Sequence, residues 1–351
     1  MILGRLLAFR FGLTVALAIS CATASAQLPV AKVGEVVPRD VREMYDRGLQ
    51  YLAKSQSENG DWPDNGGYQG PGTTGMALMV FLASGEDPNF GIYSNHVRRA
   101  LRNIIGSQDA ATGYLGNSMY HHGFGMLALA EAYGAVDERN LWPEKKKAGQ
   151  RSIGQALELA VRSSITSQKN NPLGAWRYSP EATDADTSVS GAVLVGLLAA
   201  RNAGIEVPDE SIDRALSYFK SMTSSSGQVG YSGGFGGFDE SIARISISTL
   251  VHAIGRRKDV PAFKASLSYL TQRIEQAPNG YPEYARYYQA QALFQGDVAV
   301  WEKWNKLLVR QLKGAQQADG SFSGQFGTGV GTSMSLLALA LNYRFLPIYE
   351  R

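Results

Sequence analysis

Little in this chain can form a cross-link or grip a soft metal. Its 351 residues hold one cysteine, Cys21, and four histidines, His96, His121, His122 and His252. One thiol excludes an internal disulfide and a multi-cysteine zinc site. A zinc ion would have to rely on His and carboxylates. Neighbouring residues on a helix project about 100° apart, so His121 and His122 do not chelate one ion together. No metal and no cofactor are expected. Charge of one sign is also missing. The formal net charge is +3, and Arg5 and Arg10 supply two of its 34 basic residues against 31 acidic ones. A balance this close to neutral argues against nucleic acid as a partner. The short basic runs Lys145-Lys146-Lys147 and Arg256-Arg257-Lys258 read as solvated helix ends.

Long apolar runs are absent beyond the N-terminus, since glycine interrupts each apolar stretch within about 20 residues. The one early run, Phe11 to Ser20, follows Arg5 and Arg10 and precedes the small residues Ala24-Ser25-Ala26. That order is expected of a secretory signal peptide over residues 1–26. It predicts an exported protein, periplasmic or extracellular, with no membrane-spanning segment in residues 27–351. Lipidation at Cys21 is the alternative processing route. After cleavage at Ala26 no thiol nucleophile remains.

What the sequence has in quantity is glycine, 39 residues, arranged in a repeat. Six times an aromatic residue in a Gly-containing turn leads into a run of small and apolar residues. The stretches are Gln56–Gly85, Thr112–Gly134, Gly174–Ala200, Gly230–Gly255, Gly280–Gly296 and Gln317–Leu341. Each is paired with an amphipathic segment. In the first, Val41, Met44, Tyr45, Leu49 and Leu52 recur at three- and four-residue steps, with Arg42, Asp46, Arg47 and Lys54 opposite. The run from Thr73 is apolar nearly all round, which predicts a helix covered on every side. Six amphipathic and six apolar helices in alternation predict two concentric rings, an all-α (α/α)6 toroid. The expected boundaries are a linker at 27–40, the toroid at 41–345 and a tail at 346–351. Equivalent helices then run parallel, so all six inner N-termini emerge at one end, where their partial positive charges converge. That end is the expected location of any site.

The aromatics after the turns are Trp62, Tyr114, Trp176, Tyr231, Tyr281 and Phe322. A residue type present in all six repeats reads as a packing staple. The pattern of Gln followed by Gly-x-Trp, seen at Gln56…Gly60-Asp61-Trp62 and Gln317…Gly320-Ser321-Phe322, resembles the repeat of terpenoid cyclases and protein prenyltransferases. The likeness spans roughly residues 41–345, and exported bacterial prenyltransferase/squalene oxidase repeat proteins are the most similar group. It implies the (α/α)6 toroid. In squalene-type cyclases an Asp-x-Asp-Asp-Thr motif protonates an alkene or epoxide. Asp184-Ala185-Asp186-Thr187 resembles it, with Thr187 in place of the third Asp. The resemblance would make Asp186 the acid and Asp184 its partner. Read from local chemistry alone, Asp186 or Thr187 caps a helix. The zinc of the prenyltransferases needs a cysteine ligand, which residues 27–351 lack.

Other polar residues fall at inner-helix N-termini by repeat alignment. Tyr120, His121, His122 and Arg244, with Tyr284, Tyr287 and Tyr288, are candidates for binding a ligand. Asp186, Glu240 and Glu283 could pair as general acid and base. Asp239 or Glu240 with Arg244, and Glu283 with Arg286, could equally be ordinary ion pairs. Gly230-Tyr231-Ser232-Gly233-Gly234 matches G-x-S-x-G, but no strand precedes it, so it is read as a turn. The first functional expectation is a terpenoid cyclase/prenyltransferase-like protein binding an isoprenoid or other apolar ligand in the ring. The alternatives are a polysaccharide hydrolase or lyase using paired carboxylates, and a non-catalytic toroid that binds a protein or glycan. A deep aromatic pocket, an open cleft with facing carboxylates, or a plugged ring would distinguish the three.

Overall fold

A computed structural model describes residues 37–63, 68–142, 150–233 and 240–349. Among them, twelve α-helices follow one another: α1 (Arg39–Ser55), α2 (Pro71–Leu82), α3 (Ser94–Gly106), α4 (Met119–Ala132), α5 (Ile153–Asn170) and α6 (Thr187–Asn202), then α7 (Asp209–Ser221), α8 (Ile242–Ile254), α9 (Pro261–Thr271), α10 (Pro282–Gly296), α11 (Val298–Ala315) and α12 (Thr328–Ala340). Odd-numbered helices are amphipathic. In α1 the buried side is Val41, Met44, Tyr45, Gly48, Leu49 and Leu52, the face expected from the spacing. Even-numbered helices are buried almost throughout, as in α6 from Val189 to Ala200. Along the inner ring α2 packs on α4, α4 on α6, α6 on α8, α8 on α10 and α10 on α12, and α12 returns to α2. The ring is closed.

Inner helices approach closely because glycine lines their contacts. A Cβ on Gly123 of α4 would come within 2.6 Å of the Ala192 backbone in α6, and one on Gly196 within 2.8 Å of Gly123 O. Neither side chain could be added without separating the helices.

The repeat glutamine has a definite task. Gln56 Nε2 donates to Gly60 O in its own turn and to His96 O in the next outer helix, both at 3.0 Å. Gln108 does the same with Gly113 O (2.9 Å) and Ala156 O (2.8 Å). Gln168 reaches Gly174 O and Ser211 O, each at 2.8 Å. In the last repeat the position belongs to Gln316, one residue before Gln317, and its bonds to Gly320 O (2.9 Å) and Met44 O (2.8 Å) tie the end of the toroid to its beginning. The amide thus satisfies two carbonyls that would otherwise be buried without a donor. The turn glycine beside it is required. Gly60 has φ +89°, and a Cβ there would lie 2.2 Å from Arg99 O.

Trp62 and Trp176 act as the expected staples, donating from Nε1 to Leu52 O (2.8 Å) and Ser164 O (2.9 Å) of the preceding outer helix. Packing continues past residue 345. Leu346, Ile348 and Tyr349 are buried, Ile348 N–H meets Glu131 Oε2 at 3.4 Å, and Tyr349 Oη reaches Leu337 O at 3.4 Å. Among the described residues, no helix is long and apolar enough to cross a membrane. The segment over 1–26 expected to be a signal peptide lies outside the described residues.

Candidate functional site

The inner helices start from turns of differing chemistry, and this decides the site. At α4, Ser118 caps by accepting from His121 N–H at 3.3 Å. At α6 the cap is Asp186, whose Oδ1 accepts from Val189 N–H at 2.8 Å. The turn before α6 is locked to its neighbours, since Met119 N–H donates to Tyr178 O and Thr187 N–H to Tyr231 O, both at 2.9 Å. Tyr281 precedes α10 in the left-handed region, at φ +43°. That backbone is costly for a tyrosine. Its ring stacks on Phe326 at 5.2 Å and 9°, and Tyr68 meets Phe326 edge-on at 5.0 Å.

Between these turns lies a cavity of about 640 Å³. Its rim carries Tyr68, Tyr178 and Tyr281, each about half exposed. Tyr178 and Tyr231 form one side, their hydroxyls 2.7 Å apart. Phe326, Val330, Met334 and Met76 line the other apolar surfaces, and Tyr120, Phe124 and Tyr284 reach inward. Tyr120 and Tyr284 share a hydrogen bond between their hydroxyls, and the Ser188 hydroxyl interacts with both. Burial raises both tyrosine pKa values, so the phenols stay protonated. His121 also lines the cavity, and burial lowers its pKa, which favours neutral imidazole.

Of the residues singled out from the sequence, Tyr120, His121 and Tyr284 meet at this cavity. Tyr287 and Tyr288 do not line it. They are buried on the same helix as Tyr284 and pack on Phe124 at 5.9 and 6.5 Å, filling the ring interior. His122 points away, into the α4–α5 contact. Its Nδ1 accepts from Leu115 N–H (3.0 Å), so Nε2 carries the proton and faces Ala160 O (3.0 Å) and Ser164 Oγ (2.9 Å). Burial pushes its pKa down to about 4. Arg244 is buried, its guanidinium 5.8 Å from the Tyr231 ring centre.

The carboxylates have different partners, except that Asp184 and Asp186 share Arg177. Asp186 has no exposed surface. Its free oxygen, Oδ2, has no hydrogen-bond partner and sits 3.5 Å from Arg177 Nε. Burial raises its pKa to about 6, against the opposing pull of the Val189 N–H and Arg177. Asp184 is largely exposed and binds Arg177 Nη1 at 2.8 Å. Glu240 accepts from Gln276 Nε2 at 2.7 Å, and Glu283, buried, accepts from Gln325 N–H at 2.7 Å. Asp239 lies outside the described residues. Among the described residues no three His, Cys, Asp or Glu side chains gather where a metal could bind.

Five of the cavity aromatics, Tyr68, Tyr178, Tyr231, Tyr281 and Phe326, were not expected there. Tyr231 and Tyr281 occupy the staple position of their repeats, yet their rings face the cavity where Trp62 and Trp176 pack inward. Residue type gives no signal that separates them, since Tyr114 holds the same position in its repeat and stacks on buried His122 with its hydroxyl buried.

Solved structures share this architecture. The type II terpene cyclase MstE from Scytonema superposes with TM-score 0.61 at 14% identity, covering 88% of this chain and 99% of that one. The α-1,6-mannanase GH76A of Salegentibacter sp. HEL1_6 gives 0.60 at 10% identity, over 86% and 99%. A protein from Actinoplanes gives 0.56 at 13%, over 86% and 99%. This chain has the (α/α)6 toroid fold. No protein-family model and no curated protein matches the sequence. The toroid is therefore shown by its geometry, and at these identities the likeness extends to the fold alone.

Proposed function

We propose that this toroid is an exported, terpenoid cyclase-like repeat protein that holds an isoprenoid or other apolar ligand in the cavity at the N-terminal end of its inner ring. One observation carries the reading: eight aromatic rings with Met76, Val330 and Met334 line the cavity, and no Asp or Glu is among its described lining residues. A volume of about 640 Å³ suits a small-molecule ligand. Burial of each methylene contributes about 0.8 kcal/mol, so a long hydrocarbon gains much from such a wall. Among the fold neighbours, MstE has been captured with geranylgeranyl dihydroxybenzoate. The mannanase was captured with α-1,6-mannotriose. Hydrolysis of a glycan would call for two carboxylates across the substrate, and Glu240 and Glu283 bond to different loops. Asp186 spends one oxygen on its helix and turns the other to Arg177, which supports a capping role. Export rests on the basic, apolar and small-residue order of the first 26 residues.

The test is extraction and mass spectrometry of residues 27–351 expressed to the periplasm, followed by calorimetric titration with geranylgeraniol and with mannotriose. A stoichiometric lipid, or binding of geranylgeraniol and not of mannotriose, is expected. Tyr284→Ala should weaken binding about tenfold, by removing a buried ring from the wall. Mannotriose binding with no affinity for the alcohol would overturn the reading.

A further inference from the structure

We propose that the cavity is built for an amphiphile with a small uncharged head, whose hydroxyl or carbonyl oxygen binds Tyr120, Tyr284 and Ser188, and that it rejects diphosphate and carboxylate heads. This rests on the apolar-ligand reading above and names its ligand class. Three hydroxyls meet at one place in a cavity that is otherwise mostly aromatic and aliphatic. Each has one proton to donate and two lone pairs. The bond between Tyr120 and Tyr284 and the Ser188 contacts engage up to three protons and three lone pairs, which leaves lone pairs for a guest, and a hydroxyl that rotates away from its neighbour donates to it. Tyr284 is buried and Tyr120 half-buried, whereas Tyr68, Tyr178 and Tyr281 are half exposed at the rim. The polar point is therefore the inner one. A ligand enters head first, and its apolar body remains between the rim rings.

The described wall offers an anion no cationic side chain. No Lys or Arg is among the described lining residues. Two guanidiniums pack on rings of the wall. Arg177 lies 5.6 Å from the centres of Tyr178 and Tyr231, and Arg244 lies 5.8 Å from Tyr231. Arg177 is moreover engaged by Asp184 and Asp186. The N-termini of α4 and α6 are capped by Ser118 and Asp186, while those of α2, α10 and α12 have no side-chain cap and offer only partial charge. A diphosphate placed here would lose its water and gain no cation. Burial also keeps His121 neutral, so it adds no charge.

Calorimetry of residues 27–351 with farnesol, farnesene and farnesyl diphosphate separates the possibilities, because the three share one hydrocarbon. Farnesol should bind roughly three- to tenfold more tightly than farnesene, the usual yield of one hydrogen bond. Farnesyl diphosphate should be at least about tenfold weaker than farnesol. The double variant Tyr120→Phe/Tyr284→Phe keeps the rings and should bring farnesol and farnesene to equal affinity, and Ser188→Ala should reduce the gap partway. Equal binding of the alcohol and the hydrocarbon by the unaltered protein would overturn the head-group assignment and leave the apolar-ligand reading standing. So would diphosphate binding as tight as the alcohol. Failure of all three to bind would overturn both readings. The ranking in the unaltered protein decides the matter even where a variant fails to fold.

Discussion

Replacing Asp186 by Asn should stabilise this protein at neutral pH, although the residue caps a helix and faces an arginine. Its folded pKa is raised from 3.8 to about 6, chiefly because burial penalises the carboxylate. A group raised in this way favours the folded state most fully below its unfolded value, and the benefit is lost as pH rises through the folded value. The wild-type protein therefore carries an ionised, desolvated carboxylate above pH 6. The displacement from 3.8 to about 6 corresponds to about 3 kcal/mol at most. Asparagine accepts the Val189 N–H as an N-cap about as well as aspartate. Arg177 retains Asp184 at 2.8 Å, so the guanidinium is not left without an anion. Asn is thus expected to gain about 1–3 kcal/mol at pH 7.5 and almost nothing at pH 4. Urea denaturation of both proteins at pH 4, 6 and 7.5 measures this, and the difference between them cancels every other titrating group. Asp186→Ala separates capping from charge, because it also loses the cap, worth about 1 kcal/mol, at every pH. An Asn variant less stable than wild type at pH 7.5, with the deficit vanishing in acid, would refute the argument. It would mean that Arg177 and the helix terminus outweigh burial.

Two further outcomes follow from the same structure. His122 is held neutral with its pKa near 4, so the unfolded chain protonates first and this group removes stability as pH falls from 6.5 towards 4. Imidazole NMR should show it neutral and Nε2-protonated at pH 5.5, and a titration midpoint above 6 would contradict the assignment. Gln316→Ala should cost about 2–3 kcal/mol in thermal or urea unfolding, since it leaves Met44 O and Gly320 O without their donor where the ring closes. A loss below about 0.5 kcal/mol would mean that water replaces the amide.

The two helix classes could be read directly from the sequence, because burial on one face and burial all round leave different periodicities. The same holds for the N-cap at Asp186, which depends on a few neighbouring residues. The order of helices around the ring also followed, since six similar units that each need covering close most simply on one another. What the chain alone did not reveal is which side of a buried helix meets the cavity. Tyr284, Tyr287 and Tyr288 occupy one turn of α10, yet only Tyr284 opens onto the cavity while the other two fill the ring. His121 and His122 are adjacent, and one lines the cavity while the other bonds to α5. A helix that is apolar all round carries no amphipathic stripe to orient it. Its rotation is set by contacts with helices of other repeats, distant in sequence, as at Gly123 against Ala192. The cavity itself is formed by turns from all six repeats, through Tyr68, Asn117, Tyr178, Tyr231, Tyr281 and Phe326, which no local pattern groups together. Periodicity encodes how much of a helix is buried. Only closure of the ring decides what it is buried against.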